Sequence, residues 1–238
     1  MVTEIPSYFR YWGKARKERK ESIQTAADFH LLVYHSLDVA AVAEVWLNES
    51  RVLLKQIARQ VNRSDQDTRA ILLFWVLMHD LGKFDARFQN FVEEIRVKLQ
   101  GDELEVEPEK YNHGSHGYLH FIQKYGHNEA MKAVAGHHGF CDTSIDRNLI
   151  SPDADEELVE LDSLARKEWV DFCLTWTGLT AIPDVGEIPM LAGLCSVSDW
   201  IGSSITNFTT VITPDLKVYY QQTLPRAKAA LIGSGILN

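Results

Sequence analysis

The sequence predicts an all-α protein folded as one compact helical bundle, and three observations point there. Apolar residues recur at helical spacing along most of the chain. Strand signals are sparse throughout, and no internal repeat, low-complexity tract or linker divides the 238 residues. A single domain over 1–238 is therefore expected, long enough to bury a sizeable core.

The elements follow in order. Residues 28–47, DFHLLVYHSLDVAAVAEVWL, are dense in Leu, Ala and Val and predict a largely buried helix that carries His35 and Asp38 inward. Asp67 and Thr68 offer N-cap chemistry before AILLFWVLM, in which Ile71, Phe74, Trp75 and Met78 share one face while the opposite face is also apolar. That predicts a central helix, ending in His79-Asp80-Leu81-Gly82-Lys83 with Gly82 as the stop. The acidic stretch 93–110, broken by Gly101 and Pro108, reads as a surface connection.

Helical patterns return at 115–125 and 128–135, separated by Gly126 and closed by Gly136-His137-His138-Gly139, and residues 141–156 read as a polar loop. Leu158, Leu161, Ala165, Trp169 and Phe172 have the spacing of an amphipathic helix. Pro183, Gly186 and Pro189 punctuate the chain before a helix over 190–205, with Pro189 suited to its start. A last helical segment over 216–232 contains Pro225, which is expected to kink or split it.

Composition narrows the class. Hydrophobic residues at 45% and charged residues at 24% fit a globular protein and exclude a disordered chain. The longest apolar run, Ala70 to Met78, is far short of the roughly 20 residues a membrane helix needs. The N-terminal segment lacks the features of a secretory signal, so a cytoplasmic location is expected. Cys141, Cys173 and Cys195 are too scattered for a disulfide framework and are expected to be reduced thiols. A net charge of −9 argues against a surface that grips nucleic acid everywhere. The local candidate is the run Lys14, Arg16, Lys17, Arg19 and Lys20, which reads either as a DNA contact or as a solvated segment.

The chemistry lies in the histidines and aspartates. His79-Asp80 closes the longest apolar run of the chain, where burying an unpaired carboxylate costs several kcal/mol, so Asp80 requires a cation, a strong donor or a shifted pKa. Asp199, in LAGLCSVSDWIGS, and His35, in LLVYHSLDVAAV, stand in equally apolar surroundings. His137-His138 lies between two glycines, and adjacent side chains point in different directions. A lone histidine on an apolar face is more often a hydrogen-bonded core residue than a ligand. Several segments that each deliver His or Asp into apolar surroundings are harder to explain by packing. Imidazole and carboxylate without thiolate suit borderline divalent ions.

The order His35, His79-Asp80, His113, His137-His138, Asp199 resembles the HD phosphohydrolase superfamily. Further phrases, YWGKA (11–15), HLLVYHSLDVAAVAEVW (30–46), MHDLGKFDARFQ (78–89), YNHG (111–114), AVAGHHGF (133–140) and SDWIGS (198–203), are similar to the HD nuclease domain of the type I CRISPR nuclease-helicase almost end to end. The resemblance implies an HD-domain helical bundle that cuts DNA in CRISPR interference, acting on single-stranded DNA with a superfamily 2 helicase and the RNA-guided Cascade complex. It also implies two divalent ions from among manganese, cobalt, nickel, iron and zinc. His35, His79, Asp80 and Asp199 would hold one, and Asp80, His113, His137 and His138 the other, with Asp80 bridging. His116 competes with His113 for its place, and His30, His120 and His127 match no ligand position.

Two such ions roughly 3.5–4 Å apart activate a bridging water and stabilise the leaving oxygen, so no protein nucleophile is needed. Lys83 is expected either to lend positive charge to the phosphate or to pair with Asp80. Ser203 and Ser204 are weaker candidates for a supporting contact, and Cys141 raises the alternative of a structural zinc site. The sequence has no Walker A loop, so no ATP hydrolysis is expected, and 215–238 resemble a lead-in to a helicase domain. The competing readings are a phosphohydrolase of nucleotides or cyclic nucleotides, and a non-catalytic partner-binding module.

Overall fold

The structure, a computed structural model, describes residues 5–15, 29–101, 111–143, 155–204 and 215–237. A 3-10 turn at Ser7–Arg10 leads into strand β1 (Trp12–Ala15), which pairs antiparallel with β2 (Phe29–Leu31). The helices that follow are α1 (Leu32–Glu49), α2 (Arg51–Gln60), α3 (Asp65–Leu77), α4 (Ala86–Gln89) and α5 (Glu93–Gln100), then α6 (His113–Tyr125), α7 (Glu129–Ala135), α8 (Glu156–Thr177), α9 (Leu191–Gly202) and α10 (Leu216–Gly233). The protein is all-α with a small two-stranded appendage.

Helix α1 forms the axis. It packs against α3, α9 and α10 and has Leu32, Val33, Leu37, Val39, Ala41, Val42, Ala43 and Leu47 fully excluded from solvent. Each large aliphatic side chain so placed contributes roughly 1.5–3 kcal/mol. Helix α3 lies beside it with Phe74, Trp75, Val76 and Leu77 fully buried. The last carbonyl of α3, which the helix itself leaves unsatisfied, is met by α8, whose Trp169 indole N–H donates to the Leu77 oxygen at 3.0 Å. This bond fixes the point from which the chain turns into His79-Asp80.

Several sequence expectations are corrected. Helix α3 starts at Asp65 with Ser64 as its N-cap, the serine oxygen accepting from the Asp67 N–H at 3.0 Å, so Asp67 and Thr68 lie inside the helix. It stops at Leu77, before Gly82. The supposed surface connection contains α5, whose Ile95 packs against Trp12 and Phe88; residues 102–110, with Pro108, lie outside the described residues. The helix foreseen over 28–47 begins only at Leu32, because 29–31 pair with β1. Pro225 does not split α10, which runs unbroken along α1. Met190, in the left-handed conformation, caps α9 where Pro189 was expected to begin it. Among the described residues no helix is long and apolar enough to cross a membrane. Cys141, Cys173 and Cys195 are buried free thiols.

Candidate metal centre

The side chains singled out from the sequence come from five separate segments. His35 projects from the first turn of α1, His79 and Asp80 from the turn after α3, and His113 from the start of α6. His137 and His138 follow α7, and Asp199 stands near the end of α9. Close backbone approach makes the convergence possible. A Cβ added at Gly82 would lie 1.9 Å from the His113 carbonyl oxygen and 2.7 Å from the Gly117 nitrogen, so only glycine lets the turn press against α6. The role of Gly82 is this contact, with Tyr111 adding a hydrogen bond from its hydroxyl to the Gly82 oxygen at 2.6 Å. Ser196 of α9 donates to the His137 carbonyl at 2.6 Å and so joins the two histidines to the helix that carries Asp199.

Asp80 sits at the middle and is 2% exposed. Its Oδ2 lies 3.1 Å from His35 Nε2 and 3.2 Å from His79 Nε2, while its Oδ1 lies 3.3 Å from His113 Nε2 and 3.9 Å from His137 Nε2. Asp199 closes the near side, with Oδ1 at 3.2 Å from His35 Nε2 and Oδ2 at 3.9 Å from His137 Nε2, and it accepts a hydrogen bond from Ser203. Two donor groups result, His35-His79-Asp80 and His113-His137-His138, each with ligand atoms within 4.8 Å of one another. Asp80 offers one oxygen to each.

The orientation of the rings decides what this centre can do. His79 Nδ1 bonds to the Val76 carbonyl at 2.8 Å and His137 Nδ1 to the Val134 carbonyl at 2.6 Å. A carbonyl can only accept, so both rings carry their proton on Nδ1 and aim the Nε2 lone pair at the centre. There, Nε2 of His35, His79, His113 and His137 and both oxygens of Asp80 are buried without a hydrogen bond of good geometry. Leaving such groups unmatched costs about 1–3 kcal/mol each, and more when charged. A divalent cation at each donor group would satisfy them, so the donor set fits metal ions.

Electrostatics agree. Burial alone would raise the Asp80 carboxyl, but His79, Lys83 and His35 outweigh it and hold the group well below the usual carboxylate range. Asp199 is likewise held low against burial, by His35 and His79. Burial pushes His113 down to about 4 and His137 down to about 3, which keeps both imidazoles neutral, the form that binds metals. His79 is opposite in sign: burial lowers it, but Asp80 and Asp199 raise it above its ordinary value.

The remaining candidates separate clearly. His116 bonds through Nδ1 to the Asn112 carbonyl and stacks on Tyr111, and it belongs to neither donor group, whereas His113 does. His30 pairs with Asp38, so the inward carboxylate of α1 serves His30 and Tyr219, not His35. His120 lies against Asp85, and His127 bonds Glu129. Cys141 is in neither group of donors. Lys83 Nζ is 2.7 Å from Asp80 Oδ2 and 3.2 Å from the Gly13 oxygen, so the pairing reading of this lysine has a contact behind it. Lys14 reaches Asp199 Oδ1 at 3.7 Å; Arg16, Lys17, Arg19 and Lys20 lie outside the described residues. Sequence reasoning missed Gln89, which is fully buried and bonds both Trp12 and Lys83. The residue ends the phrase MHDLGKFDARFQ, which is the one signal the sequence offers for it.

A helical bundle that gathers imidazoles from several segments around a buried His-Asp pair defines the HD class of domain. Within that class the chain belongs to the Cas3 HD-domain family, which matches residues 12–208. It is 33% identical to the CRISPR-associated endonuclease/helicase Cas3 of Escherichia coli (strain K12), over 96% of this chain and 30% of the relative's length. The chain thus spans about a third of that protein. Among solved structures it resembles the Thermus thermophilus cas3 HD domain determined with Ni2+, at a TM-score of 0.64 and 22% identity over 89% of this chain and 88% of the other. It also resembles a chain of a CRISPR RNA-guided surveillance complex in its pre-nicking state, at a TM-score of 0.70 and 23% identity over 96% of this chain and 29% of the other.

Proposed function

We propose that the protein is a metal-dependent DNA nuclease of type I CRISPR interference that hydrolyses phosphodiester bonds in single-stranded DNA. The observation that carries this reading is the buried set of unmatched lone pairs centred on Asp80, with one carboxylate oxygen turned to each of two donor groups. In this reading His35, His79, Asp80 and Asp199 hold a first divalent ion and Asp80, His113, His137 and His138 a second. Manganese, cobalt, nickel or iron suit the nitrogen-oxygen donor set, and zinc falls within it. When bound, such a pair supplies a water of lowered pKa and Lewis-acid stabilisation of the leaving oxygen.

The chain's own residues do the rest. The Val76 and Val134 carbonyls keep the His79 and His137 protons on Nδ1, so both rings stay oriented as donors through the reaction. Asp80 remains ionised because the imidazoles and Lys83 oppose its protonation. Apolar walls from α1 and α3 exclude bulk water behind the centre, which strengthens every charge interaction inside it. The E. coli relative, an endonuclease/helicase, supports a nucleic acid as the substrate, taken in this reading to be DNA. The same relative supports a helicase as partner, taken in this reading to be of superfamily 2 and recruited with the nuclease by the RNA-guided Cascade complex.

The test is cleavage of circular single-stranded DNA by metal-stripped protein after addition of each ion, beside Asp80→Asn. Cutting that requires both the ion and Asp80 is expected. Hydrolysis of nucleotides without DNA cleavage would replace the reading by that of a nucleotide phosphohydrolase. Absence of any hydrolysis, with partner binding intact and indifferent to both metal and Asp80, would leave a binding module.

A further inference from the structure

Two lysines reach the carboxylates of the centre, and they do so differently. The ammonium of Lys83 has its three directions occupied: Asp80 Oδ2 at 2.7 Å, the Gly13 carbonyl at 3.2 Å and the face of Phe88, whose centroid is 5.3 Å away. Its side chain is 5% exposed. Lys14 has one ion pair among the described residues, with Asp199 Oδ1 at 3.7 Å, too long for a strong hydrogen bond, and its side chain is 33% exposed. Lys83 is used up by the fold, whereas Lys14 stands at the mouth of the centre with donors to spare.

The position of Lys14 is built. Gln89 clamps the strand to the turn after the His-Asp pair: its side-chain oxygen accepts from the Trp12 N–H at 2.8 Å, and its amide donates to the Trp12 carbonyl at 3.0 Å and the Lys83 carbonyl at 2.9 Å. The Trp12 indole N–H returns a bond to the Gln89 carbonyl at 3.0 Å. Gly13 then lets the strand lie directly on α1, since a Cβ there would approach Leu32 Cα and His35 Cβ of that helix to 3.0 Å each. A bulge between Trp12 and Lys14 breaks the alternation of the strand, so that Trp12 packs on Phe88 and Ile95 while the ammonium of Lys14 turns to Asp199.

We propose that Lys14 is the cation that meets the substrate's phosphate in this centre, and that Lys83 is a positioning residue that holds Asp80 and strand β1 in place. The inference rests on the nuclease reading and names the residue by which that site would grip a single-stranded nucleic acid backbone. A lysine at such a position contributes a point charge and a hydrogen bond to a phosphate oxygen and does not discriminate between bases.

The experiment is fluorescence anisotropy of a labelled single-stranded oligothymidylate with the whole protein, stripped of metal, titrated over a series of salt concentrations. Parent, Lys14→Met, Lys14→Arg and Lys83→Met are compared, with a thermal melt of each. Lys14→Met is expected to weaken binding several-fold, to lower the slope of log affinity against log salt by about 0.7, the share of one phosphate contact on a single strand, and to melt as the parent does. Lys14→Arg restores the slope. Lys83→Met is expected to melt earlier and to lose less affinity than Lys14→Met. Equal slopes for Lys14→Met and parent, or a larger loss of affinity from Lys83→Met, overturn the inference. A parent that cleaves single-stranded DNA while Lys14→Met binds it equally well removes the inference alone. A parent that neither binds nor cleaves it removes the nuclease reading and the inference together.

Discussion

Two clusters of buried carboxylates and bases flank the turn between His79 and Gln89, and they differ in one respect. In the metal centre, the Nε2 atoms of four imidazoles converge on Asp80 without a hydrogen bond of good geometry, and the only cation paired with its carboxylate among the described residues is Lys83 at 2.7 Å. A few residues along, Asp85 is surrounded by donors: the Arg87 backbone N–H at 3.0 Å, Arg87 Nε and Nη2 at 2.9 Å each, and His120 Nε2 at 3.3 Å. Asp162 beside it accepts from the Tyr11 hydroxyl at 2.7 Å and the Ala86 N–H at 2.8 Å, and Arg166 bonds the Phe84 carbonyl. The same residue types thus form one cluster completed by the protein and one left for a ligand. The first holds the fold together, and the second gives up stability to keep a binding site ready.

The comparison is sharpened most by isosteric removal of one charge from each cluster. Asp80→Asn is expected to lower metal-dependent DNA cleavage at least about a thousandfold, roughly 4 kcal/mol of transition-state stabilisation. In metal-free protein it should cost less than about 2 kcal/mol of stability, because the loss of the Lys83 partner is offset by relief from the Asp199 charge. Asp85→Asn reverses the pattern. It leaves Arg87 and Arg166 short of their buried counter-ion, which costs about 3–5 kcal/mol, while folded protein keeps its metal response. Chemical denaturation of both variants with and without manganese checks this; similar stability losses in metal-free protein would erase the distinction between the clusters.

Metal addition probes the other side of the comparison. A ligand that binds only the folded protein stabilises it by about 2.7 kcal/mol when present at a hundred times its Kd. The parent and Asp85→Asn are expected to show this upward shift in melting temperature with manganese, cobalt or nickel, and Asp80→Asn to show little of it. A shift of equal size in Asp80→Asn would place the ion elsewhere.

The two clusters also differ in how far the sequence announces them. His79-Asp80 was legible because it ends the longest apolar run of the chain, where an unmatched carboxylate is costly, and Asp199 and His35 were legible because they too stand in apolar helices. Asp85, His120, Asp162, Arg166 and Tyr11 each stand in ordinary amphipathic surroundings, and only the packing of α4, α6 and α8 with the N-terminal segment unites them. The central helices were legible from their apolar period, whereas the N-cap of α3 at Ser64, the stop at Leu77 and the short α5 depend on caps and tertiary contacts that periodicity does not encode. Gly82 was noticed as a helix stop, but its need arises from the His113 carbonyl across the fold. Lys83 remained balanced between two roles because its partners, Asp80 and the Gly13 carbonyl, are set by three-dimensional geometry.

The smallest expected effect concerns pH and distinguishes the members of the completed cluster. Burial, followed by the charge of Asp85, pushes the Asp162 carboxyl up to about 7, while Arg87 and His120 hold Asp85 below the usual range against its own burial. In an unfolded chain an aspartate titrates near about 3.9. Between these two values the folded protein keeps a proton on Asp162 that the unfolded chain has released, so stability from this group is fully present below about 4 and is lost as pH rises through about 7. Neutral His113 and His137 act in the opposite direction, since the unfolded chain takes up protons there as pH falls below about 6.5, and the total curve mixes both contributions. Asp162→Asn, a neutral isostere of the protonated acid, isolates one of them. The melting temperature of the metal-free parent minus that of the variant is expected to fall by several degrees from pH 5 to pH 8, the change that roughly 2–3 kcal/mol makes in a domain of this size. A flat difference would mean that Asp162 stays ionised across this range and that Tyr11 and Ala86, not a retained proton, account for its burial.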